Sequence, residues 1–181
     1  MTRLIVPVNE HDHVQGDATA PATLVEYGDY ECPHCGRAHP IVKRVQHRLG
    51  RSLRFVFRNF PLSEIHPHAE HAAEAAESVA AHAGSKPFWA MHDLIFEHQD
   101  ELGDRELAQL AKTAGGDGKA VLADLETARF RDRVKADFMS GVRSGVNGTP
   151  TFFINGVRHD GPWDEESLVA ALVLAAETAP A

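Results

Sequence analysis

Of 181 residues only two are cysteine, Cys32 and Cys35. One bridge at most is available, so a disulfide-stapled secreted scaffold is excluded, and no second cysteine pair exists to complete a four-thiolate zinc site. No stretch approaches the roughly 18 to 20 apolar residues that a membrane-spanning helix needs. A basic surplus is missing too: 18 Lys and Arg against 26 Asp and Glu leave a formal net charge of −8. An acidic chain without a Lys/Arg cluster repels phosphate backbones, so nucleic acid is not an expected partner. The first nine residues carry a single basic side chain before Leu4 to Val8, short of the roughly 7–15-residue apolar core of a secretory signal. With Met1 as the native start this predicts a cytoplasmic protein; as a trimmed mature form the chain would be extracytoplasmic.

What remains fits a single packed domain. A hydrophobic content of 43% excludes wholesale disorder, and the length suits one domain with at most one inserted subdomain. The first twenty residues are polar and turn-rich, with Gly16 and Pro21 as breakers, and read as an irregular arm that pairs weakly at a sheet edge. Thr23 to Tyr27 is a β-prone run ended by Gly28-Asp29. Ile41, Val42, Val45 and Leu49 recur at helical spacing before Gly50, with Pro40 placed to kink that helix. Leu53 to Phe57 reads as a second strand.

From Ser63 to about Ser144 the pattern is helical. Helices are predicted from Pro67 to about Ala83, from Phe88 to His98 after a break at Gly84 to Pro87, from a cap at Asp104, around Val121 to Leu125, and through Phe130, Val134 and Phe138. Thr151 to Ile154 and Val157-Arg158 flank Asn155-Gly156, a hairpin signal because both turn residues need positive φ. Asp164 is placed to cap a last helix, with Trp163 and Leu168 in the hydrophobic-staple positions.

The chemistry concentrates in Cys32-Pro33-His34-Cys35, where a strand-to-loop segment becomes a helix. Two intervening residues let the sulfurs meet across the first helical turn. Cys32 faces unsatisfied backbone N–H groups and the positive end of the helix dipole, both of which favour thiolate. Pro33 suits the first helical position, and His34 adds a donor or a positive charge beside the sulfur. A low thiolate pKa makes Cys32 both the attacking sulfur and a good leaving group, with Cys35 as the resolving thiol. Glu31, immediately before Cys32, opposes thiolate formation. Zinc on this pair would have to recruit His34, His39 or a distant histidine, and Gly36 after Cys35 excludes a haem attachment site. A redox dithiol is therefore expected, with no metal and no cofactor beyond the Cys32–Cys35 disulfide itself.

Cys32-Pro-His-Cys35 together with Gly148-Thr-Pro-Thr-Phe-Phe-Ile-Asn-Gly156 resembles the DsbA-like family of thiol-disulfide oxidoreductases. The likeness runs from about His13 to Ala176. It implies an α/β, thioredoxin-like fold with an all-helical insertion: a single unit over residues 1–181, thioredoxin segments 14–61 and 145–181, and insertion about 62–144. Cys32 then corresponds to the family's nucleophile, Cys35 to its buried partner, Pro150 to its cis-proline, and Glu26 to its buried acid that assists proton transfer. The resemblance also implies that Gly148, Thr149 and Pro150 bind an extended substrate, with Asp29 and Tyr30 on the active-site loop as further candidates to line the groove. Thr149 stands where the strongest oxidases carry a branched aliphatic, which leaves the direction of catalysis open.

The partners implied are cysteine-containing protein substrates and a redox partner that resets the dithiol. Two alternatives stay open: a glutathione-dependent reductase or transferase on the same fold, and a non-catalytic holdase using the helical layer. Among twelve histidines, His66, His68 and His71 have chelating spacing, but an Ala/Glu-rich helix start more simply explains them as solvated. Phe88 and Trp89 are expected to pack the helical layer.

Overall fold

The computed structural model describes residues 2–178; Met1 and residues 179–181, at the ends of the expected unit, lie outside the described residues. Five strands form one mixed sheet in the order β1-β3-β2-β4-β5: β1 (His13–Gly16), β2 (Ala22–Gly28), β3 (Leu53–Asn59), β4 (Thr151–Ile154) and β5 (Val157–His159). The central pair β2 and β3 is parallel and joined by helix α1 (Pro33–Leu49), while β1, β4 and β5 run antiparallel to their neighbours. Parallel neighbours need a crossover, and α1 supplies it. The N-terminal arm expected at a sheet edge supplies β1, with Val14 opposite Val56.

Alternation along the strands splits the core between the two faces of the sheet. Leu24, Phe55, Phe57, Phe152 and Ile154 point to one face, with Cys35, Ala38, Val42 and Val45 of α1. Val25, Tyr27, Val56 and Phe153 point to the other, where Phe60, Val146 and Phe138 cover them.

Between β3 and β4 lie five helices: α2 (Ala69–Ala83), α3 (Ser85–Glu97), α4 (Asp104–Thr113), α5 (Gly118–Glu126) and α6 (Arg131–Arg143). The final helix α7 is Glu165–Glu177. Asp164 caps it by accepting from the Ser167 N–H, and Asn155 and Gly156 turn the β4–β5 hairpin at φ values of 46° and 78°. Phe88 and Trp89 are buried in the helical layer.

Three helix starts differ from the sequence pattern. Helix α3 begins at Ser85, because Pro87 falls in its first turn, where a missing N–H breaks no helical hydrogen bond. Gly103, not Asp104, occupies the cap of α4; the Asp104 carboxylate pairs instead with His71 Nδ1 at 2.7 Å. Helix α2 begins at Ala69, leaving His66 and the cap residue His68 outside it. Helix α1 runs unbroken through Pro40.

Candidate active site

The candidate site sits where the central strand β2 ends and α1 begins. The loop Asp29 to Cys32 connects them, Cys32 is the cap residue of α1, and Pro33 holds its first position. Buried Asp29 shapes this loop. Its Oδ1 accepts from the Glu31 N–H at 2.8 Å and the Cys32 N–H at 3.2 Å, and its Oδ2 faces the Leu62 N–H and His66 Nδ1, both at 2.8 Å. A single carboxylate thus satisfies N–H groups that the tight turn would otherwise leave unpaired, and ties the loop to the segment after β3.

Both cysteines are free thiols. They differ sharply in environment. The Cys32 pKa is lowered from the ordinary 9.0 to about 5. The largest cause is a hydrogen bond from the Cys35 thiol, which outweighs partial burial; the backbone N–H groups of Cys35 and His34 add to it. Burial pushes the Cys35 thiol well above its usual range, with the Cys32 hydrogen bond and the nearby Glu26 acting in the same direction. The pair is therefore one thiolate, Cys32, and one thiol, Cys35. The sequence pattern credits the helix N-terminus with this; the Cys35 thiol contributes more.

Glu26 lies inside the sheet face that carries Cys35 and is 3% exposed. Its Oε1 is buried without a hydrogen-bond partner. Burial, followed by the Cys32 charge, raises its pKa from 4.5 to about 8. A carboxyl in this state is mostly protonated at neutral pH and can exchange its proton with a buried thiol.

The Thr149–Pro150 peptide bond is cis. It places the Thr149 carbonyl oxygen 3.5 Å from Cys32 Sγ. The Thr149 hydroxyl is buried without a hydrogen-bond partner. Gly148, Thr149 and Pro150 are all half-buried, and the Gly148 α-carbon faces open space. The structure thus gathers Cys32, Cys35, Pro33, Glu26, Thr149 and Pro150 around one sulfur pair, with Gly148 beside them.

Four expectations need correction. Tyr30 does not line a groove: it is 1% exposed, and its hydroxyl lies 3.0 Å from His92 Nδ1 inside the helical layer. Asp29 is equally buried and organises the loop from within. The His34 ring is exposed, with Nδ1 2.8 Å from the Arg37 guanidinium, so His34 reaches Cys32 through its backbone N–H. Glu31 turns away from the sulfur, its carboxylate accepting from the His68 N–H at 2.6 Å. His66 and His71 are committed to Asp29 and Asp104.

Sequence reasoning missed Gln99. From the segment between α3 and α4, its amide donates to the Tyr30 carbonyl at 2.8 Å and the Cys32 carbonyl at 2.9 Å. It clamps the active-site loop to the helical layer. The only sequence trace of this contact is Gly36, whose missing side chain makes room for Gln99.

A thioredoxin family model matches residues 8–173. The chain is 45% identical over 173 residues to a Salinispora tropica protein named Na(+)/H(+) antiporter NhaA 3, covering 95% of this chain and 26% of that protein. A Nitrosospira multiformis protein named Na(+)/H(+) antiporter NhaA is 41% identical over 169 residues, covering 92% and 26%. The chain therefore spans about a quarter of the length of these curated relatives. No helix among the described residues is long and apolar enough to cross a membrane. Among solved structures, oxidised BdbD from Bacillus subtilis superposes with a TM-score of 0.87 at 23% identity, covering 97% of this chain and 98% of that one. Wolbachia pipientis alpha-DsbA1 gives 0.80 at 19% identity, covering 97% and 96%. The strand order, the inserted helices and the family match agree: the chain belongs to the thioredoxin family, in the DsbA-like form of the fold.

Proposed function

We propose that the chain is a protein thiol-disulfide oxidoreductase that works through a mixed disulfide at Cys32, resolved by Cys35 when a client is reduced and by a second client thiol when a client is oxidised. The observation that carries this reading is the asymmetry of the pair: Cys32 is held near pKa 5 at a helix start, while Cys35 is buried and held as a thiol. In the oxidising direction a client thiolate attacks Cys32 Sγ of the Cys32–Cys35 disulfide, and Cys35 leaves as a thiolate. The carboxyl of Glu26 gives that thiolate its proton. A second client thiolate then attacks the client sulfur, and Cys32 departs as the stabilised thiolate. The client loses two electrons and the dithiol gains them.

One feature supports that direction. A thiolate stabilised in the reduced form makes the disulfide the better oxidant, and a low-pKa sulfur is the better leaving group. The half-buried backbone at Gly148 to Pro150, just before β4 and beside the sulfur, would receive an extended client segment in either direction of electron flow. An oxidant must then remove two electrons from the dithiol after each turnover. For relatives about four times longer, the shared region would supply this chemistry to the rest of the chain; ion exchange is not assigned to the present residues.

The test is covalent trapping. A Cys35→Ser variant should accumulate disulfide-linked client proteins that a Cys32→Ser variant does not, and equal trapping by the two would overturn the reading. Turnover of glutathione with a small-molecule substrate would favour a glutathione-dependent enzyme. Full suppression of client aggregation by the double variant would favour a holdase.

A further inference from the structure

Behind the dithiol lies a second cluster that the proposed chemistry does not use. His39 stands on α1, four residues after Cys35, while His92 and Asp93 stand on α3. One donor atom from each of these three residues lies within 4.8 Å of the others. His39 Nε2 and Asp93 Oδ1 are 3.3 Å apart. We propose that His39, His92 and Asp93 form a binding site for a transition-metal dication of zinc type, with water completing its coordination.

Three observations point this way. First, Asp93 Oδ1 is buried and has no hydrogen-bond partner, although it faces an imidazole. Buried carboxylate oxygens are ordinarily hydrogen-bonded, and this one, in ion-pair range of His39 Nε2 yet without a hydrogen bond, leaves room for a cation between the donors. Second, donors bound tetrahedrally at about 2.0–2.1 Å from zinc stand about 3.3 Å apart, which matches the His39–Asp93 separation. Third, the outer partners are in place: the Tyr30 hydroxyl lies 3.0 Å from His92 Nδ1, and Lys43 Nζ lies 2.8 Å from Asp93 Oδ2. Ligand imidazoles and carboxylates are usually oriented by such contacts.

Two imidazoles and one carboxylate select zinc-like ions over calcium or magnesium, which prefer all-oxygen sites. The His39 and Asp93 side chains keep 11% and 29% of their surface, so an ion can enter from outside. Bound there, it would cross-link the active-site helix to the helical insertion. Through Tyr30 it would reach the loop that presents Cys32.

The cysteines are themselves metal ligands, so the test uses a Cys32→Ser/Cys35→Ser protein and titrates it with zinc and with cobalt. The expected result is one ion per chain, a cobalt spectrum without sulfur charge-transfer bands, and a raised unfolding temperature with zinc. Adding His39→Ala or Asp93→Asn should weaken binding at least tenfold and remove the thermal shift. Asp93→Asn changes little volume and decides the matter if His39→Ala folds poorly. Tyr30→Phe should weaken binding less than either. No binding to the cysteine-free protein, or binding that survives Asp93→Asn unchanged, overturns the site.

Discussion

A β-carbon added to Gly36 would lie 2.0 Å from Gln99 Oε1, so the two residues share one small volume between α1 and the helical insertion. Gln99 uses that closeness to hold the Tyr30 and Cys32 carbonyls. Gly36→Ala should therefore expel Gln99 and loosen the loop. Gln99→Ala should cost roughly 1–2 kcal/mol by removing two hydrogen bonds. Because both substitutions break the same contact, adding Gly36→Ala to Gln99→Ala should cost much less than Gly36→Ala alone. Urea unfolding of the four proteins measures the coupling; strict additivity would show that the two residues act separately.

The Cys32 thiolate should titrate near pH 5, followed by its ultraviolet absorbance or by alkylation rate. Cys35→Ser keeps a hydroxyl donor and should shift the midpoint modestly, whereas Cys35→Ala should raise it more, because the thiol hydrogen bond is the leading cause of the low value. A midpoint unmoved by Cys35→Ala would place the stabilisation in the helix N-terminus alone.

Stability should depend on pH differently in the two redox states. Cys32 is depressed from 9.0 to about 5, so its contribution to the reduced protein is complete above about pH 9 and disappears as pH falls through about 5. Glu26 is raised from 4.5 to about 8, so its contribution is complete below about 4.5 and is lost as pH rises through about 8. In the reduced protein the two slopes oppose each other between about pH 5 and 8. Oxidation removes the Cys32 proton site, leaving the Glu26 slope, weakened by loss of the Cys32 charge. The reduced form should gain on the oxidised form as pH rises, by at most about 1.4 kcal/mol per unit, and by less because the sulfur is partly solvent-screened. Denaturant melts of both forms at pH 5.5 and 8 check this, and Glu26→Gln should flatten the oxidised curve.

Asp29→Ala should be the most damaging change near the site. It strands the N–H groups of Glu31 and Leu62, leaves the Cys32 N–H with only the Asp29 carbonyl, and removes the partner of His66. A loss of about 3 kcal/mol or more is expected. Asp29→Asn keeps acceptor capacity at Oδ1 and should recover part of it. Equal losses for the two variants would mean that charge, rather than acceptor number, sets the loop.

Much of the architecture was legible in local patterns. The strands at Thr23 to Tyr27 and Leu53 to Phe57, the Asn155-Gly156 turn and the Asp164 cap all rest on residues whose preference is decided within a few positions. Helix starts were less legible where competing signals adjoin. Pro87 reads as a breaker, yet a first-turn proline is tolerated, and Asp104 reads as a cap until His71 draws its carboxylate away. Tyr30 fails for a different reason: a loop tyrosine beside the nucleophile looks like a surface contact, and only the position of α3 shows that it is buried on His92.

The sequence by itself determined that a dithiol opens a helix, because Cys32, Pro33 and Cys35 are neighbours and their spacing needs nothing from elsewhere. It also determined the order of strands and helices around them, since periodicity is local. The sequence also pointed to Cys32 as the thiolate, but only tertiary structure decided how strongly the pair is polarised. Burial of Cys35 and the nearness of Glu26, six residues before Cys32, hold the second sulfur as a thiol that can donate to the first, and both follow only when the sheet and α1 pack together. Burial and hydrogen-bond geometry are properties of the packed molecule, and they set the pKa values on which the chemistry rests.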